Sequence, residues 1–541
     1  MPRGHSFVKG AFILGAAGLT ARFLGAGLRI FLAAFMGDEG IGLYQMAYPI
    51  YTTLLAVSTA GIPIAISKLV AENLAYREYI GAYRVFRASL MILLFLGTLF
   101  SFILYFGAEF FVETILKDPR AYYPLITISP AIFLVSIMSA WRGFFQGQQE
   151  MLPTALSQIV EQLGRIVVVV ILVFLLLPLG IEFAAAGAAF GAVAGGVFGL
   201  VILLYIYFRR RKDFFKKMKM QGNVQSYSTL QIFRRIITFS IPITLGSLVL
   251  PLINLVDLSV VPLRLHEAGY STEEATSLYG QLTGMANSVV QFPIMMTIAL
   301  AMSLVPAISE ADALQSRALI RGRTQLALRV TLLFSIPAAV GLFVLSEPIT
   351  IVLFDNAPAS YPLSILAFGV IFLSLYTSTA GILQGLGNPI EPVKNMFLGA
   401  VLKFVISWFL TAQPLLNVGG AALSTVIGFF IASFLNIKKV KYLTGSSLNT
   451  ADLLVKPIFA SFIMAWSALM AYEMLLEYVP AELSLRMAQA LSLLVTILLA
   501  MVVYVLVLSL IGGIREEDLR YIPRFGDSLA RIARRLGLIK D

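Results

Sequence analysis

Fourteen stretches of this chain are long and apolar enough to cross a lipid bilayer, which takes about 20 residues per helix. Unpaired backbone groups are too costly in lipid, and no stretch alternates as barrel strands do, so each span is predicted to be helical. Hydrophobic residues make up 59% of the 541 residues and charged residues 13%, a balance foreign to soluble domains. We therefore predict an all-α integral membrane protein with about 14 transmembrane helices. The predicted spans are residues 7–35, 44–70, 84–107, 122–145, 154–178, 184–208, 236–264, 278–306, 324–345, 362–384, 392–412, 418–437, 452–475 and 485–512.

The chain offers few groups for metal binding or acid–base chemistry. It has no cysteine, and its two histidines are His5 and His266. No cofactor or metal site is expected, although transport could be coupled to Na+, H+ or the membrane potential. The N-terminus begins like a signal peptide, but its apolar stretch continues past Arg22 to Phe35, so an uncleaved first span is favoured over a cleaved leader.

Basic residues are distributed unevenly between the two sides of the predicted spans. Segments on the side of the N-terminus contain 30 of the 40 Lys and Arg residues, whereas the opposite loops contain four. Because cytoplasmic loops retain basic residues, both termini are predicted to be cytoplasmic. Orientation thus explains most of the net charge of +11, and no nucleic-acid partner is expected.

The sequence repeats itself at an offset of 238 residues. Seven of 25 positions are identical between residues 123–147 and 361–385, including a shared Gly-x-x-Gln-Gly motif. An even number of spans separates the copies, so they share one orientation, as parallel repeats do. We predict two pseudo-symmetric six-helix lobes and two further helices. The predicted parts are the N-lobe (1–208), a basic linker (209–235), the C-lobe (236–437), helices 13 and 14 (438–513) and a cytoplasmic tail (514–541).

Two smaller patterns complete this organisation. The sixth span has glycine at every fourth position, which favours close helix packing; these are Gly187, Gly191, Gly195 and Gly199. In the tail, residues 526–540 place apolar side chains on one helical face and arginines opposite. A helix on the inner membrane surface is predicted there, and a solvated tail is the alternative.

Six basic residues lie inside predicted spans and are counted with neither side of the membrane, and the two clear acids inside spans are Glu161 and Asp257. A charge at mid-bilayer costs roughly 2.5–3.5 kcal/mol, so it normally meets a partner or a wet cavity. Glu161 and Arg165 lie one turn apart on the fifth span, on one face with Gln158 and Gln162. The excess of positive charge predicts a wet cationic cavity that receives an anion. The six bases are Arg22, Arg29, Lys68, Arg142, Arg165 and Lys403.

Structural explanations of the same charges stay open. Glu161 could simply pair with Arg165, and Lys68 with Glu72. Lys68 and Arg142 lie near the cytoplasmic ends of their spans, where long side chains can snorkel to the headgroups.

Longer motifs resemble a family of transporters; they are FVKGAFILGAAGLTARFLG, GIPIAISKLVAE, RGFFQGQQEMLPTALSQIVEQLGR, GIEFAAAGAA and LVPAISE. Together they resemble the stage V sporulation protein B group of the polysaccharide-transporter branch of the multidrug/oligosaccharidyl-lipid/polysaccharide exporter superfamily. The resemblance implies a V-shaped pair of lobes with alternating access in the bacterial cytoplasmic membrane. It also implies a lipid-linked saccharide precursor as cargo, as for lipid II flippases, for peptidoglycan or spore cortex. Expected partners are this precursor, membrane lipids and cell-wall synthesis enzymes, and the expected state is a monomer.

The resemblance also suggests roles for residues. Lipid II flippases show Arg-x-Leu-Gly-x-x-Arg in the first helix; here Arg22 fits, and the second arginine is Arg29, one residue later than in the motif. With Arg165 they are expected to line the cavity between the lobes and to bind pyrophosphate, because a guanidinium meets two phosphate oxygens at once. Asp257 resembles the acidic ligand of a coupling cation in some relatives, although a hydrogen bond to a neighbouring helix would also explain it.

The remaining candidates follow from their positions. Glu161 is expected to hold its arginine until cargo arrives, and Gln158 and Gln162 to contact sugar. Lys403, equivalent to Arg165 at the repeat offset, is expected on the opposite wall. Arg142 would meet the headgroup at the cytoplasmic mouth or cap a helix. The candidate substrate-binding residues are Arg22, Arg29, Lys68, Arg142, Gln158, Glu161, Gln162, Arg165 and Lys403.

Three functions are compatible with these features. A flippase for an anionic lipid-linked precursor fits the basic cavity best. A multidrug or cation antiporter of the same superfamily is the alternative, but cationic cargo would favour acids in the cavity. A membrane enzyme such as a sugar polymerase would need catalytic groups in a sizeable outer loop, and the outer loops are short with one histidine. The chain is therefore not expected to be an enzyme.

Overall fold

The computed structural model describes residues 3–221, 228–446, 451–477 and 484–513. Within these ranges the chain forms eighteen α-helices, with short 3-10 and π segments, and no β-strand. The amphipathic helix predicted at 526–540 lies outside the described residues. The helices are α1 (Arg3–Thr59), α2 (Ile62–Ala75), α3 (Tyr79–Phe106), α4 (Ala108–Phe111), α5 (Tyr122–Gly147), α6 (Met151–Leu176), α7 (Ile181–Lys219), α8 (Thr229–Ser247), α9 (Val249–Glu267), α10 (Thr272–Gly280), α11 (Asn287–Ala313), α12 (Arg317–Val344), α13 (Ser346–Phe354), α14 (Ser360–Gly385), α15 (Ile390–Leu410), α16 (Asn417–Thr444), α17 (Lys456–Glu477) and α18 (Leu485–Leu510).

Thirteen helical ranges among the described residues are long and apolar enough to cross a membrane. The first, Ile13–Ala75, overlaps the first two predicted spans, and each of the other twelve overlaps one predicted span. The prediction of an all-α membrane fold with about fourteen spans is confirmed. The chain is a multi-pass membrane protein.

The first two spans are joined by a sharp turn within α1. Its backbone is helical except at Gly37, where φ is 69° and ψ is −174°, a conformation open to glycine because it has no Cβ. The Arg29 guanidinium carbon lies 5.5 Å from the ring centre of Tyr48, although 19 residues of straight helix would separate them by about 28 Å. The second arm of α1 therefore folds back along the first.

The internal repeat reappears as matching helix bounds. Helices α3 and α5 span Tyr79–Phe106 and Tyr122–Gly147, and α12 and α14 span Arg317–Val344 and Ser360–Gly385. Each bound in the second pair is shifted by 238 residues from its equivalent in the first. Two helices of each repeat thus begin and end at equivalent residues, as the shared sequence motif predicts.

The glycines of the repeated motif make equivalent helix contacts. A Cβ on Gly143 would lie 2.7 Å from the carbonyl oxygen of Pro63, and a Cβ on Gly381 would lie 3.1 Å from that of Ala301. Pro63 and Ala301 are themselves 238 residues apart. Gly147 meets Val70 in the same way. These glycines let α5 and α14 approach their neighbours closely.

The predicted linker and seventh span are built differently from the expectation. Residues 209–219 continue α7, and the seventh span consists of α8 and α9, which meet at Leu248. Compact packing divides the chain into residues 1–280 and 281–541, so α8, α9 and α10 pack in the first unit. The lobe bounds 1–208 and 236–437 stay a prediction.

The two C-terminal helices belong to the second unit. The Tyr504 hydroxyl of α18 donates to the carbonyl oxygen of Leu333 on α12 at 2.8 Å. Arg329, also on α12, donates to the carbonyl oxygen of Gly513 at 2.7 Å. Hydrogen bonds thus attach this C-terminal part of the chain to α12 of the second repeat.

Candidate functional site

The charged face of α6 forms an ion cluster with α5. The Arg142 guanidinium donates through Nε to Ser157 Oγ at 2.8 Å and through Nη2 to Glu161 Oε2 at 2.8 Å. The Arg165 Nη2 donates to the other carboxylate oxygen of Glu161 at 3.4 Å. We call Arg142, Ser157, Glu161 and Arg165 the arginine–glutamate cluster. One carboxylate therefore holds two guanidiniums, and the cluster has an excess positive charge.

The cluster is only slightly accessible. The side chains of Arg142 and Glu161 are 16% exposed and that of Arg165 is 15% exposed. Buried charges require partners or a polar ligand because their desolvation is costly. The predicted pairing of Glu161 with Arg165 is confirmed. The snorkelling alternative for Arg142 is wrong, because its guanidinium is bound to Ser157 and Glu161 inside the protein.

Close packing of α7 shapes the back of this cluster. A Cβ on Gly195 would lie 2.9 Å from the carbonyl oxygen of Glu161 and 3.2 Å from Cβ of Arg165. A Cβ on Gly191 would lie 3.3 Å from Cγ of Arg165. The prediction that the glycine face of this helix serves close packing is confirmed. These glycines hold α7 against the stems of the charged side chains.

The second arm of α1 adds three tyrosines beside the cluster. The side chains of Arg29 and Arg165 lie near the hydroxyl of Tyr48, and Tyr44 and Tyr51 lie beside Tyr48 with ring centres 5.6 and 5.8 Å away. The sequence interpretation missed these tyrosines. Their spacing of four and three residues in an apolar span was the available signal, because it places them on one helical face.

Several polar atoms on this face lack a hydrogen-bond partner among the described residues: Gln158 Oε1, Gln162 Nε2 and Arg165 Nε. Gln162 is 8% exposed, and its Nε2 lies 3.5 Å from where a Cβ on Gly25 of α1 would be. An unsatisfied buried polar group costs about 1–3 kcal/mol. The face therefore favours a polar ligand or water.

Arg22 and Lys68 are both exposed side chains. Arg22 is exposed on α1, seven residues before Arg29. Lys68 is exposed on α2, with its ammonium 4.0 Å from the ring centre of Phe239. The suggested pair of Lys68 with Glu72 is wrong, because Arg235 of α8 donates to Glu72 Oε1 at 2.9 Å.

Lys403 and Asp257 are on other helices. Lys403 lies on α15 of the second unit and is 2% exposed. A Cβ placed on Gly428 of α16 would lie 3.3 Å from the Cβ of Lys403. Asp257 is partly buried in the middle of α9 in the first unit. Its role as a cation ligand and that of Lys403 in cargo binding stay predictions.

Repeated bundles of membrane-spanning helices with a partly buried, positively charged cluster define a multi-pass transporter. A family profile described as "Polysaccharide biosynthesis protein" matches residues 7–312, and one described as MatE matches residues 282–409. The chain belongs to the polysaccharide biosynthesis protein family, in the polysaccharide-transporter branch of the multidrug/oligosaccharidyl-lipid/polysaccharide exporter superfamily. It is a membrane transporter and not an enzyme.

Individual relatives agree with this assignment. Stage V sporulation protein B of Bacillus subtilis (strain 168) is 30% identical over 527 residues, which cover 97% of this chain and 99% of that protein. Lipid II flippase MurJ of the same organism is 31% identical over 446 residues, covering 79% and 81%. A solved structure of "Lipid II flippase MurJ, inward closed conformation" has a TM-score of 0.66 at 17% identity, covering 92% of this chain and 98% of that one. The solved structure shows similarity of fold.

Proposed function

We propose that this chain is a flippase that moves an anionic lipid-linked saccharide precursor, similar to lipid II, from the inner to the outer leaflet by alternating access. The observation that carries the proposal is the arginine–glutamate cluster, in which Arg142 and Arg165 share the single carboxylate of Glu161. A buried surplus of guanidinium charge suits a phosphate. The similarity to a protein named as a lipid II flippase supports the same class of cargo.

The unequal distances in the cluster suggest how cargo binds. Arg142 is 2.8 Å from Glu161, whereas Arg165 is 3.4 Å away, so the bond to Arg165 is the weaker one. We propose that a pyrophosphate oxygen replaces Glu161 as the partner of Arg165, while Arg142 keeps the carboxylate in place. The released guanidinium can then bind two phosphate oxygens with its planar fork.

Neighbouring groups would complete the binding of cargo. Arg29 lies near the Tyr48 hydroxyl, as Arg165 does, and would supply a second positive charge to the pyrophosphate. The unpartnered amide atoms of Gln158 and Gln162 suit sugar hydroxyls, which both donate and accept hydrogen bonds. Arg22, exposed on α1, would contribute charge toward the end of that face.

The proposal is tested with purified protein in vesicles that contain a fluorescent lipid-linked saccharide. Arg165→Ala should lower flipping about 10- to 100-fold, since hydrogen bonds to charged groups contribute about 1.5–3 kcal/mol. Arg165→Lys should recover part of the rate, because the ammonium keeps the charge and loses the fork. Arg234→Ala, which removes an exposed arginine of α8, is the matched control. Wild-type flipping by a folded Arg22→Ala/Arg165→Ala protein would contradict the proposal.

The alternative, a multidrug or cation antiporter, has one observation in its favour, the MatE match over residues 282–409. The excess positive charge near Arg165 opposes it, because a cationic drug would be repelled from a poorly solvated guanidinium. Export of a cationic dye from the same vesicles discriminates between the two functions. Dye export without precursor flipping would favour the antiporter.

A further inference from the structure

Helix α7 is much longer than a membrane span. Its 39 residues correspond to about 58 Å, whereas the hydrocarbon core is about 30 Å thick. The apolar part ends at Phe208, and residues 209–219 contain seven basic residues and one acid, Asp213. We call residues 209–219 the basic extension. It follows directly on the apolar part of α7.

Aromatic contacts hold the basic extension against the bundle. The ring of Phe214 lies 5.8 Å from that of Tyr79 and 5.5 Å from that of Phe144, and the ring of Phe215 lies 5.3 Å from that of Tyr83. These contacts fasten the extension to α3 and α5. The helix that carries its charged groups is therefore held in place before any partner binds, which lowers the entropic cost of binding.

The basic side chains of the extension lie on the helix surface around these contacts, and the Lys217 ammonium is 6.0 Å from the ring centre of Tyr79. All seven bases are exposed, and Lys212, Lys216 and Lys219 have no ion pair with a described residue. Arg210 pairs with Glu150 at 2.6 Å. Like charges three and four residues apart repel each other on a helix. A surface with this surplus is stabilised by an external anion.

We propose that the basic extension binds the phosphate headgroups of anionic phospholipids and gathers these lipids around α7. The position selects this partner, because the first bases follow directly on a lipid-exposed apolar turn that includes Tyr205 and Phe208, which are 57% and 52% exposed. Bases near an anionic membrane surface each contribute about 1 kcal/mol, and the attraction extends over about one Debye length. This binding needs no cargo and is independent of the proposed flippase activity.

The test uses nanodiscs of phosphatidylcholine that contain nitroxide-labelled phosphatidylglycerol or, as a reference, nitroxide-labelled phosphatidylcholine. The label sits on the acyl chain near the glycerol, and a fluorophore is attached to Tyr205→Cys, the single cysteine in this chain. Quenching by phosphatidylglycerol should exceed the reference about fivefold, the factor for roughly 1 kcal/mol. In the same background, Arg211→Gln/Lys212→Gln/Lys216→Gln should reduce the ratio to near one.

The matched control removes the same charge at the end of another helix. Lys438→Gln/Lys439→Gln/Lys441→Gln on α16 should leave the quenching ratio at Tyr205→Cys unchanged. Melting temperatures of both variants should equal that of the background protein, because the rings of Phe214 and Phe215 are retained. A ratio of one in the background protein, or an equal loss in both variants, would overturn the proposal.

Discussion

At the scale of single residues, Tyr48 of α1 lies near two arginines of the site, Arg29 and Arg165. Its ring centre lies 5.5 Å from the Arg29 guanidinium carbon, and its hydroxyl lies near Arg165. Tyr48→Phe keeps the ring and removes the hydroxyl, which is worth about 1 kcal/mol per hydrogen bond. We expect the KM for the lipid-linked precursor to rise about 3- to 10-fold, with the protein still folded, because the guanidiniums lose orientation. Flipping rates over a range of precursor densities measure this change.

The control for this prediction is a tyrosine of the second unit whose hydroxyl makes a partly buried hydrogen bond. Tyr376 of α14 donates to the carbonyl oxygen of Pro392 at 3.1 Å in the second unit. Tyr376→Phe should therefore leave the KM unchanged even if stability falls slightly. An unchanged KM in Tyr48→Phe would show that its hydroxyl only packs beside the arginines.

Asp257 allows a separate test of coupling. We propose that a cation at this carboxylate on α9 favours one state of the transport cycle, which requires different affinities in the two states. Asp257→Asn keeps the shape and removes the charge, so transport should lose its dependence on sodium or on pH. Vesicle assays with sodium or proton gradients measure it, and Asn254→Ala, one turn away on the same helix, is the control. Full activity with unchanged ion dependence in Asp257→Asn would exclude the role.

Sequence spacing predicts some of these contacts and not others. The pair Glu161–Arg165 follows from the separation of one helical turn. The same rule fails for Lys68 and Glu72, because α8 packs on α2 and brings Arg235 to the carboxylate. The partner of Arg142 is 19 residues away on another helix. Such a contact depends on the rotation and height of two packed helices, which hydropathy does not determine.

At the scale of helices, the two repeats share a framework but differ in charge. The positions equivalent to Arg142, Glu161 and Arg165 at the offset of 238 are Ala380, Gly399 and Lys403. The position of the acid is thus occupied by Gly399. A Cβ on Gly399 would lie 2.5 Å from the carbonyl oxygen of Gly428, so α15 and α16 pack closely there. The arginine–glutamate cluster therefore belongs to the first repeat alone. The ends of the helices follow from the repeat, whereas the difference in charge depends on which residues occupy these three positions.

The glycine face of α7 gives a prediction about stability. A Cβ on Gly195 would come within 2.9 Å of the Glu161 carbonyl oxygen, so Gly195→Ala should overpack the α6–α7 contact and destabilise the protein by about 1–3 kcal/mol. It should also lower flipping by displacing Arg165. Nothing lies within 4 Å of a Cβ on Gly322 in α12, so Gly322→Ala should stabilise that helix by roughly 0.5–1 kcal/mol. Melting in detergent should show shifts of opposite sign, and equal shifts would contradict the packing argument.

At the scale of the whole molecule, the bilayer determines most of what the sequence reveals. Spans are readable because each must be apolar for about 20 residues and helical throughout. The division of the seventh span into α8 and α9 is not readable in this way. The break at Leu248 lies within a segment whose average hydropathy barely changes, so only the backbone conformation distinguishes one helix from two.

The orientation of the chain is the remaining prediction at this scale. Met220 follows the basic extension, Ser271 precedes α10, and the helices between them, α8 and α9, make one predicted crossing. Because 30 of the 40 basic residues lie on the side of the N-terminus, Met220→Cys should be inside the cell and Ser271→Cys outside. A membrane-impermeant thiol reagent applied to intact cells should label only Ser271→Cys, and detergent should expose both. The cysteine-free parent gives the background, and labelling of Met220→Cys in intact cells would reverse the orientation and place the basic extension on the outer surface.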